Sequence, residues 1–243
     1  MRPSAILIFC LVMVCPAAFA ATIQSGPQRV SLVELYSSEG CSSCPLADNW
    51  MNSLRGNKRL WKEFVPVVFH VDFWDYLGWK DVYAKPLFTQ RQREYDKAWN
   101  NPGMYTPGFV LNGRNWKAGP FRSIPRPGKE TVGTLAVEHR SGDDFKVVFQ
   151  PSGMFTGDGP WTAHLALLLF DIRSVVTRGE NAGKTLEHDF VAAEYASSEM
   201  NEAQGRHSAS LKLPAGKAWA LAAWITRGSD LEPIQAAGGY LEH

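Results

Sequence analysis

The segment Cys41-Ser42-Ser43-Cys44-Pro45, directly after the apolar run 30–36, constrains the fold of this chain more than any other. An apolar run followed at once by C-x-x-C-P predicts a buried strand, a short turn and the start of a helix. A helix N-terminus carries free backbone N–H groups and about half a positive charge. That environment favours the thiolate, which is the reactive form of cysteine. The spacing places the two sulfurs one helical turn apart, within disulfide reach. Cys41 is therefore the candidate nucleophile and Cys44 the candidate resolving thiol.

The N-terminus indicates the compartment. Met1-Arg2 is a short positive region, residues 5–14 are apolar but too short to span a bilayer, and Ala18-Phe19-Ala20 matches an A-x-A cleavage signal. Residues 1–20 are expected to be a signal peptide cleaved after Ala20, exporting a bacterial protein to the periplasm or beyond. Of the four cysteines, Cys10 and Cys15 leave with the leader, so the mature protein keeps only the C-x-x-C pair. A disulfide-scaffolded fold would need more cysteines, better spread. With a formal net charge of +1, the chain shows no basic bias toward nucleic acid or a charged membrane surface, and no second long apolar run anchors the mature protein.

Residues 30–36 and 64–71 read as strands, with a helix over 41–56 between them on the strength of Leu46, Trp50 and Leu54 at i, i+4 and i+8. A helix between two strands implies parallel neighbours. A second helix is expected over 86–99. Asn112-Gly113 predicts a hairpin joining 108–111 to 115–118. Pro120, Pro125, Pro127 and Gly128 mark 121–130 as a linker, and evenly spaced strand-like segments beyond it suggest a small β-sandwich over 131–243.

Strand, C-x-x-C helix, strand, helix and then Thr106-Pro107 entering a strand is the element order of the thioredoxin fold. More closely, the chain resembles a family of secreted bacterial thioredoxin-like proteins of uncharacterised function. The resemblance rests on Val33-Glu34-Leu35-Tyr36-Ser37-Ser38-Glu39-Gly40-Cys41-Ser42-Ser43-Cys44-Pro45, His70-Val71-Asp72-Phe73-Trp74-Asp75, Arg91-Gln92, Tyr105-Thr106-Pro107 and Gly179-Glu180-Asn181-Ala182-Gly183. It implies an α/β thioredoxin-like domain over 21–120, with a helical insertion at about 73–100, followed by a mostly β, sandwich-like C-terminal domain. It also implies a cis-proline at Pro107, opposite the dithiol. Gly108 departs from the pattern, which has a larger polar residue after the proline.

Several side chains are candidates for the chemistry. Glu34, inside an apolar strand, is placed to exchange a proton with Cys44 or to form a salt bridge with an arginine of the inserted segment. Thr106 and Pro107 would position an extended substrate, and Trp74 and Asp72, with neighbouring aromatics, would line its groove or cover a domain interface. Glu39 and Asp48, flanking the helix start, read as solvated, dipole-favoured acids. Glu180, Asn181, Glu187 and His188 lie in a Gly-rich stretch and read as turn and interface residues.

The expected activity is thiol–disulfide exchange with protein or peptide thiols and an unidentified redox partner. It needs no cofactor beyond the Cys41–Cys44 disulfide. An alternative is a periplasmic copper-binding protein or metallochaperone holding Cu(I) with Cys41, Cys44 and His70. A third reading is a non-catalytic interaction module.

Overall fold

The computed structural model describes residues 22–117, 119, 123–141, 143–155, 160–200, 207–211 and 219–241. The expected leader, residues 1–20, lies outside these, as do residues 121 and 122 of the expected linker.

The first half runs β1 (Thr22–Gln24), β2 (Ser31–Ser37), α1 (Cys44–Ser53), β3 (Phe64–His70), α2 (Pro86–Ala98), β4 (Gly108–Leu111) and β5 (Arg114–Asn115). The second half is β6 (Gly133–Ser141), β7 (Asp144–Pro151), β8 (Trp161–Leu169), β9 (Ile172–Val175), β10 (Thr185–His188), β11 (Val191–Met200), β12 (His207–Ser210), β13 (Trp219–Arg227) and β14 (Gln235–Tyr240). Both strands flanking α1 are fully buried, so they read as continuous apolar runs rather than alternating ones. They pair in parallel, Ser31 opposite Phe64 through Ser37 opposite His70. The Asn112-Gly113 turn takes positive φ at both residues, as a two-residue hairpin requires.

The expectation of an α/β thioredoxin-like domain followed by a separate sandwich is corrected. The protein is mostly β: among the described residues, two α-helices stand against fourteen strands. A single eight-stranded sheet in the order β14-β13-β8-β11-β3-β2-β4-β5 draws strands from both halves of the sequence. The join is a parallel pairing of β11 with β3, Val191 opposite Val68.

The reason lies in the burial of β8 and β13. On β8, Ala163, Leu165 and Leu167 pack into one core with the four-stranded sheet β1-β6-β7-β12, whereas Ala166 and Leu168 face the core beneath the helices. On β13, Leu221, Ala223 and Ile225 face the first core and Ala220, Ala222 and Trp224 the second. With apolar side chains on both faces, these strands bury themselves by extending the first half's sheet.

The period-2 alternation of β2 sorts the functional groups. Ser37 points toward α1, donating from Oγ to Asp48 Oδ1 at 2.7 Å. Glu34 points to the opposite face, toward α2, where Arg91 and Tyr95 meet it.

Candidate functional site

The helix starts at Cys44, with Ser43 before it and Pro45 in the first turn. Cys41 therefore sits in the preceding turn rather than in the helix itself. That turn is closed by the Cys41 N–H donating to the Ser38 carbonyl at 3.1 Å and the Cys44 N–H to the Cys41 carbonyl at 3.2 Å. Gly40 lets the turn pass under Trp74, because a Cβ there would lie 3.0 Å from the Trp74 Cβ.

Both thiols are free, and Cys41 is 2% and Cys44 0% exposed. The Cys41 sulfur lies 3.2 Å from Ser43 Oγ and 3.8 Å from the Thr106 carbonyl. The two thiols are pushed in opposite directions. The bond from the Cys44 thiol, working against burial and assisted by Ser43 and Thr106, lowers Cys41 to about 6. Burial first, then the neighbouring Cys41 and the charge of Asp48, push Cys44 well above the usual thiol range. One thiol is thus set up as a thiolate and the other as its proton-bearing neighbour.

Thr106–Pro107 is a cis peptide bond, and its threonine carbonyl is the one facing Cys41. Trp74 supports it by donating from Nε1 to Thr106 Oγ1 at 2.7 Å. Asp72 does not reach the dithiol; its carboxylate accepts from Thr89 Oγ1 at 2.6 Å and pins the loop to α2. Gly108 makes room for Gln92, whose amide donates to the Tyr105 carbonyl at 2.7 Å, and a Cβ would come 3.1 Å from that amide. Beside Pro107 a recess of about 390 Å³ is lined by Tyr105, Phe109, Asn115 and Trp116.

Glu34 is not brought to the dithiol. Its Oε1 accepts from Arg91 Nη2 at 2.7 Å and Nε at 2.8 Å, and its Oε2 from the Tyr95 hydroxyl at 2.6 Å. Of the two roles read from the sequence, the structure displays the salt bridge with an arginine of the 73–100 segment.

The acids around the dithiol are Glu39 and Asp48. Both are buried rather than solvated, because β10 and the loop before it fold over the turn. Asn181 donates from Nδ2 to the carbonyls of Glu39 and Cys41, at 2.8 and 2.9 Å, and Glu180 accepts from the Ser42 N–H at 2.9 Å. Glu39 accepts from Trp79 Nε1 at 2.7 Å. Burial opposes its charge, yet the neighbouring His188 imidazole, with Ser174 and Trp79, holds it below its ordinary value. Burial raises Asp48, against the pull of His188, His70 and Ser37.

His70, fully buried at the end of β3, pairs through Nδ1 with Asp81 Oδ2 at 2.7 Å and meets the His188 ring edge-on at 5.0 Å. Burial works to lower it, but the Asp81 carboxylate, with Asp48 and Glu39, holds it up at about 9. Among the described residues, no group of three or more His, Cys, Asp or Glu is arranged to hold a metal ion.

The opposed titrations make a prediction. An unfolded histidine titrates near 6.5, so His70 stabilises the fold fully below about pH 6.5 and loses this as pH rises through about 9. Cys41, held low, does the reverse: its contribution is present above the free-thiol value of about 8.5 and is lost as pH falls through about 6. Between those limits the two oppose each other in the dithiol form. In the disulfide form the Cys41 contribution is absent and that of His70 remains. Unfolding free energy of the oxidised protein should therefore fall between pH 6.5 and 9, by at most about 1.4 kcal/mol per pH unit for His70, while that of the reduced protein stays nearly level up to about pH 8.5, above which the raised Cys44 thiol also costs stability. His70→Gln should flatten the oxidised curve. Urea titrations across this range check it, and equal slopes in the two redox states would contradict it.

Asp48, read from the sequence as a solvated helix-start acid, stands one turn beyond Cys44 on the same helical face, and that i, i+4 spacing is the signal that could have placed it at the dithiol. Asn181 and His188, read from the sequence as turn and interface residues, reach the dithiol from about 140 residues away.

Two solved structures share the architecture. A crystal structure of a protein from Agrobacterium tumefaciens is similar over 89% of this chain and 96% of its own, at 24% identity and a TM-score of 0.56. HBP35 of Porphyromonas gingivalis is similar over 89% of this chain and 76% of its own, at 16% identity and a TM-score of 0.62. At these identities the likeness is one of fold. No curated protein gives a significant match. The model of the family described as "Protein of unknown function (DUF1223)" matches residues 32–225, the span that contains the dithiol, the cis-proline and the Asn181 loop, and the chain belongs to that family.

Proposed function

We propose that the chain carries out thiol–disulfide exchange through Cys41 and Cys44, in an oxidising compartment outside the cytoplasm. The observation that carries this reading is a C-x-x-C pair at a helix start whose first sulfur lies 3.2 Å from Ser43 Oγ and 3.8 Å from the Thr106 carbonyl, surroundings that lower the Cys41 thiol while burial raises Cys44. A buried structural bridge would have no use for that asymmetry. Cys41 thiolate attacks a substrate disulfide, one substrate sulfur leaves with the electron pair of the broken bond, and a mixed disulfide forms. Cys44, once deprotonated, attacks Cys41 and releases the second substrate sulfur. A buried carboxylate one turn along on its own helix face is Asp48, whose charge Cys44 feels. The recess beside Pro107, with its aromatic walls, suits an apolar side chain of an extended protein substrate.

Cys44→Ser should stall the reaction at the mixed disulfide. Exposed to envelope extract, that variant is expected to retain protein adducts that are released by dithiothreitol and absent from a Cys41→Ser/Cys44→Ser control. Equal recovery from both proteins would overturn the reading.

A further inference from the structure

Behind the dithiol, five buried polar atoms have no hydrogen-bond partner: Glu39 Oε1, Asp48 Oδ2, His70 Nε2 and both ring nitrogens of His188. Buried polar atoms are normally paired or watered, so such a group asks for an explanation. The five belong to one cluster. His188 Nδ1 lies 3.8 Å from Asp48 Oδ2, and His188 Nε2 lies 3.5 Å from Glu39 Oε1. These distances are too long for strong hydrogen bonds but short enough for a small ring rotation to close either one. His188 thus stands between two carboxylates, one of them a helical turn from Cys44.

The cluster has its own opening. A cavity of about 400 Å³ is lined by Asp48 and His188 together with Pro45, Asn49, Lys184 and Glu187. It shares no lining residue with the recess beside Pro107. This matters in the resolving step. The bound substrate then covers Cys41 and Pro107, while Cys44 is fully buried and must still lose its proton. A thiol held high by burial does not attack until a base takes that proton.

We propose that His188 and this rear cavity carry the Cys44 proton from Asp48 to solvent while the substrate occupies the front of the site. The proposal rests on the exchange reading above. The proton passes from Cys44 Sγ to Asp48 Oδ2. The electron pair left on Cys44 forms the bond to Cys41 Sγ, and the pair of the broken mixed disulfide departs on the substrate sulfur. Asp48 then passes the proton to His188 Nδ1, and His188 loses a proton to cavity water. The dithiol is oxidised and the substrate disulfide is reduced. In the opposite direction a proton enters by the same route.

The test uses the mature chain, reduced, and 5,5′-dithiobis(2-nitrobenzoate) as the probe disulfide, followed by stopped-flow absorbance. Attack by Cys41 releases the first coloured thiolate and resolution by Cys44 releases the second. His188→Ala should leave the first release within about twofold and slow the second by about tenfold or more, as loss of a proton-transfer group does. Imidazole added to the buffer should restore the second release by entering the enlarged cavity, but not when Asp48→Asn is also present. His188→Gln, which keeps the packing, should be equally slow and not rescued. An unchanged second release in both variants, or a slowed one in His188→Ala that imidazole does not relieve, would overturn the proposal. Failure of the exchange reading looks different, as wild-type protein would then give no fast first release.

Discussion

Arg91→Met should destabilise the protein by about 3–5 kcal/mol, because it leaves the Glu34 carboxylate buried without its partner. Arg91 is 4% and Glu34 0% exposed. The guanidinium places two nitrogens on Glu34 Oε1, and Nη2 also meets the Tyr95 hydroxyl at 3.0 Å. The same guanidinium lies over Phe69 of β3, Tyr195 of β11 and Trp224 of β13, at 5.7, 5.5 and 5.0 Å from the ring centres. One α2 side chain therefore touches strands from both halves of the sequence across the shared sheet, and its loss opens that packing as well as the ion pair. Arg91→Lys should recover little, since an ammonium cannot reproduce the planar fork or its stacking. Glu34→Gln combined with Arg91→Met should recover much of the loss, because no buried charge is then left over. Urea unfolding midpoints of the three variants decide it. A loss below about 0.5 kcal/mol in Arg91→Met, within the range of an ordinary surface change, would contradict the account.

Cys41→Ser should remove exchange activity by at least about a thousandfold, to the uncatalysed background, since it deletes the nucleophile. A serine hydroxyl in the same place is not ionised near neutrality and forms no disulfide. Cys44→Ser should leave the first attack fast and abolish only the second step. That division follows from the opposed titration of the two thiols. Progress curves against a small disulfide give both rates. Equal damage to the first step from either substitution would mean that the thiols are interchangeable, contrary to the geometry around Cys41.

The parts of this molecule that are local in sequence were legible in it. The buried run before the dithiol, the helix after it, the parallel partner strand and the Asn112-Gly113 hairpin follow from turn chemistry and periodicity, whereas the proline facing the site comes from the family resemblance. What was not legible depends on partners far along the chain. The second half's strands alternate between two cores, and a pattern of apolar residues does not say which sheet they join; here they extend the first half's sheet at β3. Glu39 and Asp48 looked like solvated helix-start acids because that rule sees only the helix, not β10 folded over it. Glu34 was expected near the thiols, or in a salt bridge with an inserted arginine. The pleat of β2 decides the matter by sending Glu34 and Ser37 to opposite faces. His188 carries no local mark of a role, since its surroundings come from the turn after β2, from α1 and from the end of β3.

The most direct measurement is the rate of Cys41 alkylation by iodoacetamide against pH in the reduced Cys44→Ser and wild-type proteins, read by mass spectrometry. The account predicts a single wild-type titration near 6, well below the free-thiol value of about 8.5. It also predicts a rise in Cys44→Ser, where the bond from the Cys44 thiol is altered. A wild-type titration at or above the free-thiol value, with both cysteines slow to react, would contradict the claim that Cys41 is an activated nucleophile.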